Sequence, residues 1–247
     1  MAYNKTYFHI LSSFLITFIA LFVITRILHD LLIDDQIDYY NMTLGAYSQV
    51  KFTMLFFLIM PLFLYLLSVF QFRMFLEIKV KDIIFYCGIL LLCGALLEIT
   101  VNSLFELLIG RKSWKYIIWP LNDGNTSFSS LIVWPCYGFH LYLTHLGQRL
   151  KKEEYYTSKF YRSVYMGLDA MWLEVLANSF AIITVGSYYF FYLRNDLYNF
   201  TSSEIYIPYF FAGLLGMFII DFFEKHKNLK VLVGVTSLIC GLLIVIY

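Results

Sequence analysis

The chain has 247 residues, of which 60% are hydrophobic, 20% aromatic and only 14% charged, with a formal net charge of +1. Soluble domains carry about 25% charged residues, so this composition, with a mean hydropathy of +0.71, excludes an ordinary soluble domain and indicates an integral membrane protein. The near-neutral balance, without any Lys/Arg block, gives no basis for nucleic-acid binding.

Seven apolar runs are long enough to cross ~30 Å of hydrocarbon at about 1.5 Å per residue. They cover about 7–28, 52–76, 83–109, 128–147, 165–193, 204–223 and 230–247. The expected fold is therefore all-α: a polytopic transmembrane bundle of about seven helices in one domain, 1–247. Lys5 is a thin basic flank, and no small-x-small cleavage pattern follows the first run, which predicts a retained first helix. The runs at 83–109 and 165–193 are long enough to tilt or to project beyond the bilayer.

Lys and Arg set the expected orientation. The N-terminus and the connections after the second, fourth and sixth runs hold twelve of them, including Lys5, Arg73, Lys79, Lys81, Arg149, Lys152 and Lys227. The other side holds six: Arg26, Lys51, Arg111, Lys112, Lys115 and Arg194. This bias predicts a cytoplasmic N-terminus and an external C-terminus. The external side then carries an acidic first loop (Asp30, Asp34, Asp35, Asp38) and three N-x-S/T sequons, at Asn41, Asn125 and Asn199, which are glycosylation acceptors only on a eukaryotic secretory route.

An internal similarity organises the middle of the chain. Leu97-Glu98, Asn102-Ser103 and Gly110 recur, with identical spacing, as Leu173-Glu174, Asn178-Ser179 and Gly186. After a shortening of three, Asn122-Asp123, Ser129-Ser130, Ile132 and Pro135 recur as Asn195-Asp196, Ser202-Ser203, Ile205 and Pro208. The expectation is a duplicated two-helix unit, with 83–147 as repeat one and 165–223 as repeat two. Two helices per unit give both copies the same orientation, so the repeats are parallel and related by a pseudo-two-fold along the membrane normal. The helices at 7–28, 52–76 and 230–247 are additions around them.

Glu98 and Asn102 are four residues apart and share a helix face, which Glu106 continues; Glu174 and Asn178 repeat the arrangement. An acid within hydrocarbon must face the bundle interior, pair, or stay protonated. The two Glu/Asn pairs are thus candidate ligand-binding groups at an axis shared by the repeats. Interhelical hydrogen bonding that locks the bundle is the structural alternative, and paired acid–base chemistry is a third reading. His140, five residues after Pro135, is a candidate proton relay or ligand group; it could equally satisfy the backbone defect at the proline or bond an acid on a neighbouring helix. Asp169 is expected at a helix boundary.

Trp114, Tyr116, Trp119 and Trp134, with Tyr188, Tyr189, Tyr192 and Tyr206, are expected at an interfacial aromatic belt, with a ligand cage as the alternative. Cys87, Cys93, Cys136 and Cys240 lie in apolar runs without metal-ligand spacing, so neither a metal nor a disulfide framework is expected. No P-loop or GxGxxG sequence occurs, and no cofactor is expected; an ATP-driven process would need an ATPase on another chain.

Two segments carry a family likeness. Leu97-Glu98, Glu106, Trp114 and Tyr116, followed by Pro135-Cys136-Tyr137-Gly138-Phe139, resemble the intramembrane Glu, later Glu, W-x-Y step and P-x-Y-G-F motif of the type IV ABC-transporter permease-like family of small polytopic proteins. Ser113 and Lys115 depart from that family's Trp and Asp, and Pro208-Tyr209-Phe210-Phe211 departs from P-x-Y-G. The likeness implies a permease-like role, alone or with other membrane subunits. The residues themselves leave three functions open: handling of a small solute, ion or lipid at the Glu/Asn site; an intramembrane lipid or isoprenoid enzyme using the paired carboxylates; and a non-catalytic subunit of a larger membrane complex.

Overall fold

The architecture is that of a computed structural model, which describes residues 2–151 and 158–247, and side chains from residue 11 onward within the first helix. Lys152 lies outside the described residues, as does the side chain of Lys5. Among the described residues there are seven α-helices: α1 (Ala2–Leu32), α2 (Ala46–Phe72), α3 (Val80–Ile109), α4 (Ser130–Lys151), α5 (Lys159–Val185), α6 (Tyr206–Lys225) and α7 (Lys230–Ile246). Six are long and apolar enough to cross a membrane, so the chain is a multi-pass integral membrane protein. The exception is α4, which is polar for its length because it is the interior helix. Thirteen of its residues are buried, among them Ser130, His140, Thr144 and His145, and neighbouring helices replace lipid around it.

The helices assemble in two groups. Helix α3 packs chiefly against α4 and α7, and α2 against α4; α5 packs chiefly against α6, and α1 against α5. The buried residues of α2 (Phe52, Phe56, Met60, Leu64, Ser68 and Phe72) fall at every fourth position, the row that forms one helix ridge. Its remaining faces present Met54, Phe57, Leu58, Leu62 and Phe70 outward, as a helix solvated by lipid on most of its surface would.

Helix ends explain where the runs and the helices differ. The apolar run 165–193 predicts a helix to residue 193, yet α5 stops at Val185, because Gly186 takes a left-handed φ of 71° and its N–H bonds the Ile182 carbonyl. The aromatic residues beyond it leave the helix, and Phe190–Tyr192 forms a strand. Hydrophobicity alone does not distinguish a buried strand from another helical turn. At its other end α5 begins ahead of the run, at Lys159, where the Ser158 hydroxyl accepts the Tyr161 N–H. Gly110 ends α3 in the same way, with φ 76° and a bond to the Glu106 carbonyl.

Between the paired helices the chain folds back as small loops. Strand β1 (Trp114–Tyr116) pairs antiparallel with β4 (Phe190–Tyr192), while β2 (Pro120–Leu121) pairs with β3 (Thr126–Ser127). The β1–β4 register sets Trp114 opposite Tyr192, Lys115 opposite Phe191 and Tyr116 opposite Phe190. In the alignment that matches Glu98 with Glu174, positions 114, 115 and 116 correspond to 190, 191 and 192. Exchanging the two strands therefore leaves the register unchanged. Arg111 clasps Glu204 through both carboxylate oxygens, at 3.2 and 2.8 Å, and the Ser113 hydroxyl donates to the same carboxylate at 2.7 Å. The C-terminal end of α3 is thereby fastened to the start of α6.

The aromatic belt is corrected by burial. Trp114, Tyr116, Trp134, Tyr188, Tyr189 and Tyr192 are all buried and form the core under these loops. Edge-to-face contacts such as Tyr116–Tyr189 and Trp114–Tyr192 hold them together, a geometry worth about 1 kcal/mol per pair beyond area burial.

Candidate functional site

Each Glu/Asn pair projects from its helix into the loop that follows it. Asn102 Oδ1 accepts the N–H groups of Ser113 (2.9 Å) and Trp114 (3.3 Å), while its Nδ2 donates to the Trp114 carbonyl at 3.0 Å. Asn178 Oδ1 accepts those of Tyr189 (3.0 Å) and Phe190 (3.2 Å), and its Nδ2 donates to the Phe200 carbonyl at 2.8 Å. Ser113 and Trp114 stand to Asn102 in the sequence as Tyr189 and Phe190 stand to Asn178. An asparagine is suited to this position because it offers acceptor and donor together to a chain whose amides have left the helix.

The glutamates lie one turn deeper and gather side-chain donors. Glu98 accepts from the hydroxyls of Tyr116 and Thr126, from Ser130 Oγ at 3.1 Å and from the Trp134 indole N–H at 2.7 Å. Glu174 accepts from Tyr192 at 2.6 Å and from Thr201 and Tyr209. Tyr189 Oη lies 3.1 Å from Ser130 Oγ. Since the single Ser130 proton goes to Glu98, Tyr189 donates there, which couples the second loop to the first carboxylate. Burial raises the Tyr116 and Tyr192 phenols well above their ordinary range, with the facing glutamates adding to the shift; both remain protonated donors.

The carboxylate donors recur in matching order. Tyr116 and Tyr192 keep the spacing of the two glutamates, while Thr126 with Thr201 and Trp134 with Tyr209 fall one position short of it. The sequence alignment shortens by three in this region and matches Pro135 with Pro208. The structure differs, since Pro135 is the sixth residue of α4 while Pro208 is the third of α6. Hydrogen-bond roles, which depend on where the chain comes back to the glutamate, set the structural correspondence.

Glu98 and Glu174 line one common cavity of about 10 Å³, with Trp134 and Tyr209 also in its wall. That is room for about one water molecule. Among the described residues, no cation faces either carboxylate. Glu106, on the same face of α3, is exposed and stands apart.

His140 does not join this constellation. Its Nε2 lies 3.0 Å from Asp169 Oδ2 across the α4–α5 contact, out of line for a regular hydrogen bond. The pair adjoins a second cavity of about 80 Å³ between α3, α4, α5 and α6. Among the described residues, Asp169 is the one carboxylate in its wall and no basic side chain lines it; the rest is apolar, aromatic or small, including Gly94, Ala170, Ala212, Gly213 and Gly216. Leu97, Trp134 and Tyr209 line both cavities, so the larger one runs up to the floor of the carboxylate cage. Sequence reasoning missed this crevice. Its one legible signal was the set of small residues at 212, 213 and 216 on a helix otherwise rich in Phe and Leu.

Asn102→Ala is expected to lower thermal stability by about 2 kcal/mol or more, because two buried amides and a carbonyl lose their partner. Asn178→Ala should cost a similar amount, as it strands an equivalent set. Melting of both purified variants, followed by intrinsic fluorescence, checks this; stability unchanged in either would show that the loop holds itself.

Among the described residues, no group of three or more His, Cys, Asp and Glu side chains could hold a metal ion. Comparison of the chain with protein-family models, with curated proteins and with solved structures finds no match.

Proposed function

We propose that this protein is a permease-like membrane protein, acting alone or as a subunit of a larger assembly, that handles an apolar, lipid-like molecule between its two helix pairs. The observation that carries this reading is the 80 Å³ crevice between α3–α4 and α5–α6, whose one charged group among the described residues is Asp169. A side chain grown from Gly216 would meet nothing within 4 Å, so the crevice is open beside α6. At that depth the solvent is hydrocarbon, and an acyl or isoprenoid chain is the molecule that hydrocarbon supplies.

The Glu/Asn pairs serve this reading as the fixed roof of the crevice. Their oxygens are already engaged by the chain's own donors, which favours a positioning role over solute coordination or acid–base chemistry. The recurrence of the cage bonds at nearly constant sequence spacing, and the exchange-symmetric strand pair, support an internal duplication in parallel orientation. The Lys/Arg bias supports placing the end that carries the α2–α3 and α6–α7 connections in the cytoplasm.

The test is photolabelling in nanodiscs with a fatty-acyl diazirine lipid, followed by peptide mapping. Labels are expected to concentrate on crevice residues of α3 and α6. Gly216→Leu, which fills open space and preserves the fold, should reduce that labelling severalfold. Labelling spread evenly over the outward faces of α1 and α2, or unchanged by Gly216→Leu, would overturn the reading.

A further inference from the structure

At the end of the bundle opposite the carboxylate cage, the start of α3, the last turns of α4 and the α6–α7 connection enclose a cleft of about 310 Å³. Among the described residues, five cations line it, Lys79, Lys81, Arg149, Lys227 and Lys230, against two carboxylates, Asp82 and Glu224. The carboxylates are already spoken for. Buried Lys230 bonds Asp82 at 2.8 Å and also Glu224, and Arg149 lies 3.3 Å from Glu224. Among the described residues, Lys79, Lys81 and Lys227 make no ion pair, and all three are exposed.

Backbone geometry adds to this positive charge. Helices α3 and α7 both begin here, at Val80 and Lys230, and neither has a side-chain N-cap. Two helix starts thus turn their positive ends toward one cleft, while the Lys230 N–H is taken by the Lys227 carbonyl and the Asp82 N–H by that of Lys79. Tyr142, buried in the cleft wall, accepts the Lys79 N–H at 3.0 Å, which leaves its hydroxyl proton for another acceptor. Three unpaired ammonium groups, two helix starts and a spare hydroxyl donor describe a receptor for a compact, multiply charged oxyanion.

We propose that this cleft binds a phosphate-bearing group, with Lys79, Lys81 and Lys227 as its ligands. The inference does not depend on the apolar crevice. The same chemistry is offered by the headgroup of an anionic phospholipid and by a free phosphate or pyrophosphate, and the experiment separates the two sources.

The full-length protein is placed in phosphatidylcholine nanodiscs, with or without phosphatidic acid, and lipid retention is read by native mass spectrometry. In a parallel arm, inorganic phosphate and pyrophosphate are titrated against the phosphatidylcholine sample, with thermal unfolding as readout and chloride matching the ionic strength. Selective retention of phosphatidic acid assigns a lipid source, and a saturable shift with phosphate or pyrophosphate assigns a soluble one. In either case Lys79→Gln, Lys81→Gln and Lys227→Gln should each weaken binding about fivefold, and the triple variant about a hundredfold. The exposed positions make loss of fold unexpected, and the triple Lys→Arg variant should restore binding. Lys112→Gln, at the opposite end, should bind as the parent does. The proposal is overturned if neither probe binds, if the triple Gln variant binds normally, or if Lys112→Gln weakens binding as much.

Discussion

Replacing Glu98 by Leu is expected to destabilise the protein by about 4 kcal/mol or more and to abolish recovery of monodisperse protein, since each buried donor left unmade costs about 1–3 kcal/mol. The side chain is 2% exposed, and its removal strands the Tyr116, Thr126, Ser130 and Trp134 donors together. Hydroxyl groups recover part of this by rotating, but the indole N–H of Trp134 is fixed by its ring. Glu174→Leu strands three donors, all hydroxyls, and should be the milder lesion. Glu98→Gln retains the shape and a carbonyl acceptor, so a loss of about 1–2 kcal/mol is expected. Fluorescence-detected size exclusion and thermal melting of the four single variants, Leu and Gln at each site, rank these effects. A Glu98→Leu protein that melts like the parent would remove the carboxylate from the forces holding the loop. Equal stability of both Gln variants, coupled to loss of a bound solute, would return the pair to the ligand-binding role.

The second large effect is expected at the helix crossings. A Cβ placed on Gly88 would overlap the Gly234 carbonyl oxygen, and one on Gly234 would lie 2.7 Å from that of Ile84. Helices α3 and α7 therefore meet backbone to backbone, the close approach that small residues permit in membranes. On the other side of α3, a Cβ on Gly138 of α4 would come within 2.5 Å of the Tyr86 carbonyl oxygen. Backbone cannot swing aside as a side chain can, so Gly88→Ala must push α7 away along its length. The expected loss is about 3 kcal/mol, at the upper end for overpacking. Gly216→Ala is the matched control. It sits within α6 facing open space and should be neutral or stabilising by about 0.5–1 kcal/mol through backbone entropy. If the two alanine variants melt alike, α7 is not packed on α3 as described.

Some of this organisation could be read before any coordinates. The seven apolar runs correspond to the seven helices among the described residues, six of them long and apolar enough to cross a membrane, because hydrocarbon leaves the backbone little choice but to bond within itself. The Glu98–Asn102 and Glu174–Asn178 spacings placed each pair on one helix face, and the structure puts both glutamates against one cavity. Other features were not legible. The run Tyr188–Tyr192 is as apolar as a helical turn, and only Gly186 in its left-handed conformation ends α5 before it. The buried aromatics read as a belt because an interfacial Tyr and a Tyr aimed at a buried carboxylate are the same residue in a sequence. Asp169 read as a boundary residue because its partner, His140, lies far away in the chain on another helix.

The sequence by itself determined the solvent, the number of helices, their polar faces and the unequal charge of the two ends. Those properties follow from local composition and from periods of a few residues. Tertiary structure alone decided that the glutamates are enclosed by hydroxyl and indole donors, that an apolar crevice opens beneath them, and that three lysines share a cleft. Each of these is a juxtaposition of segments far apart in the chain, fixed by helix crossings and loop closure.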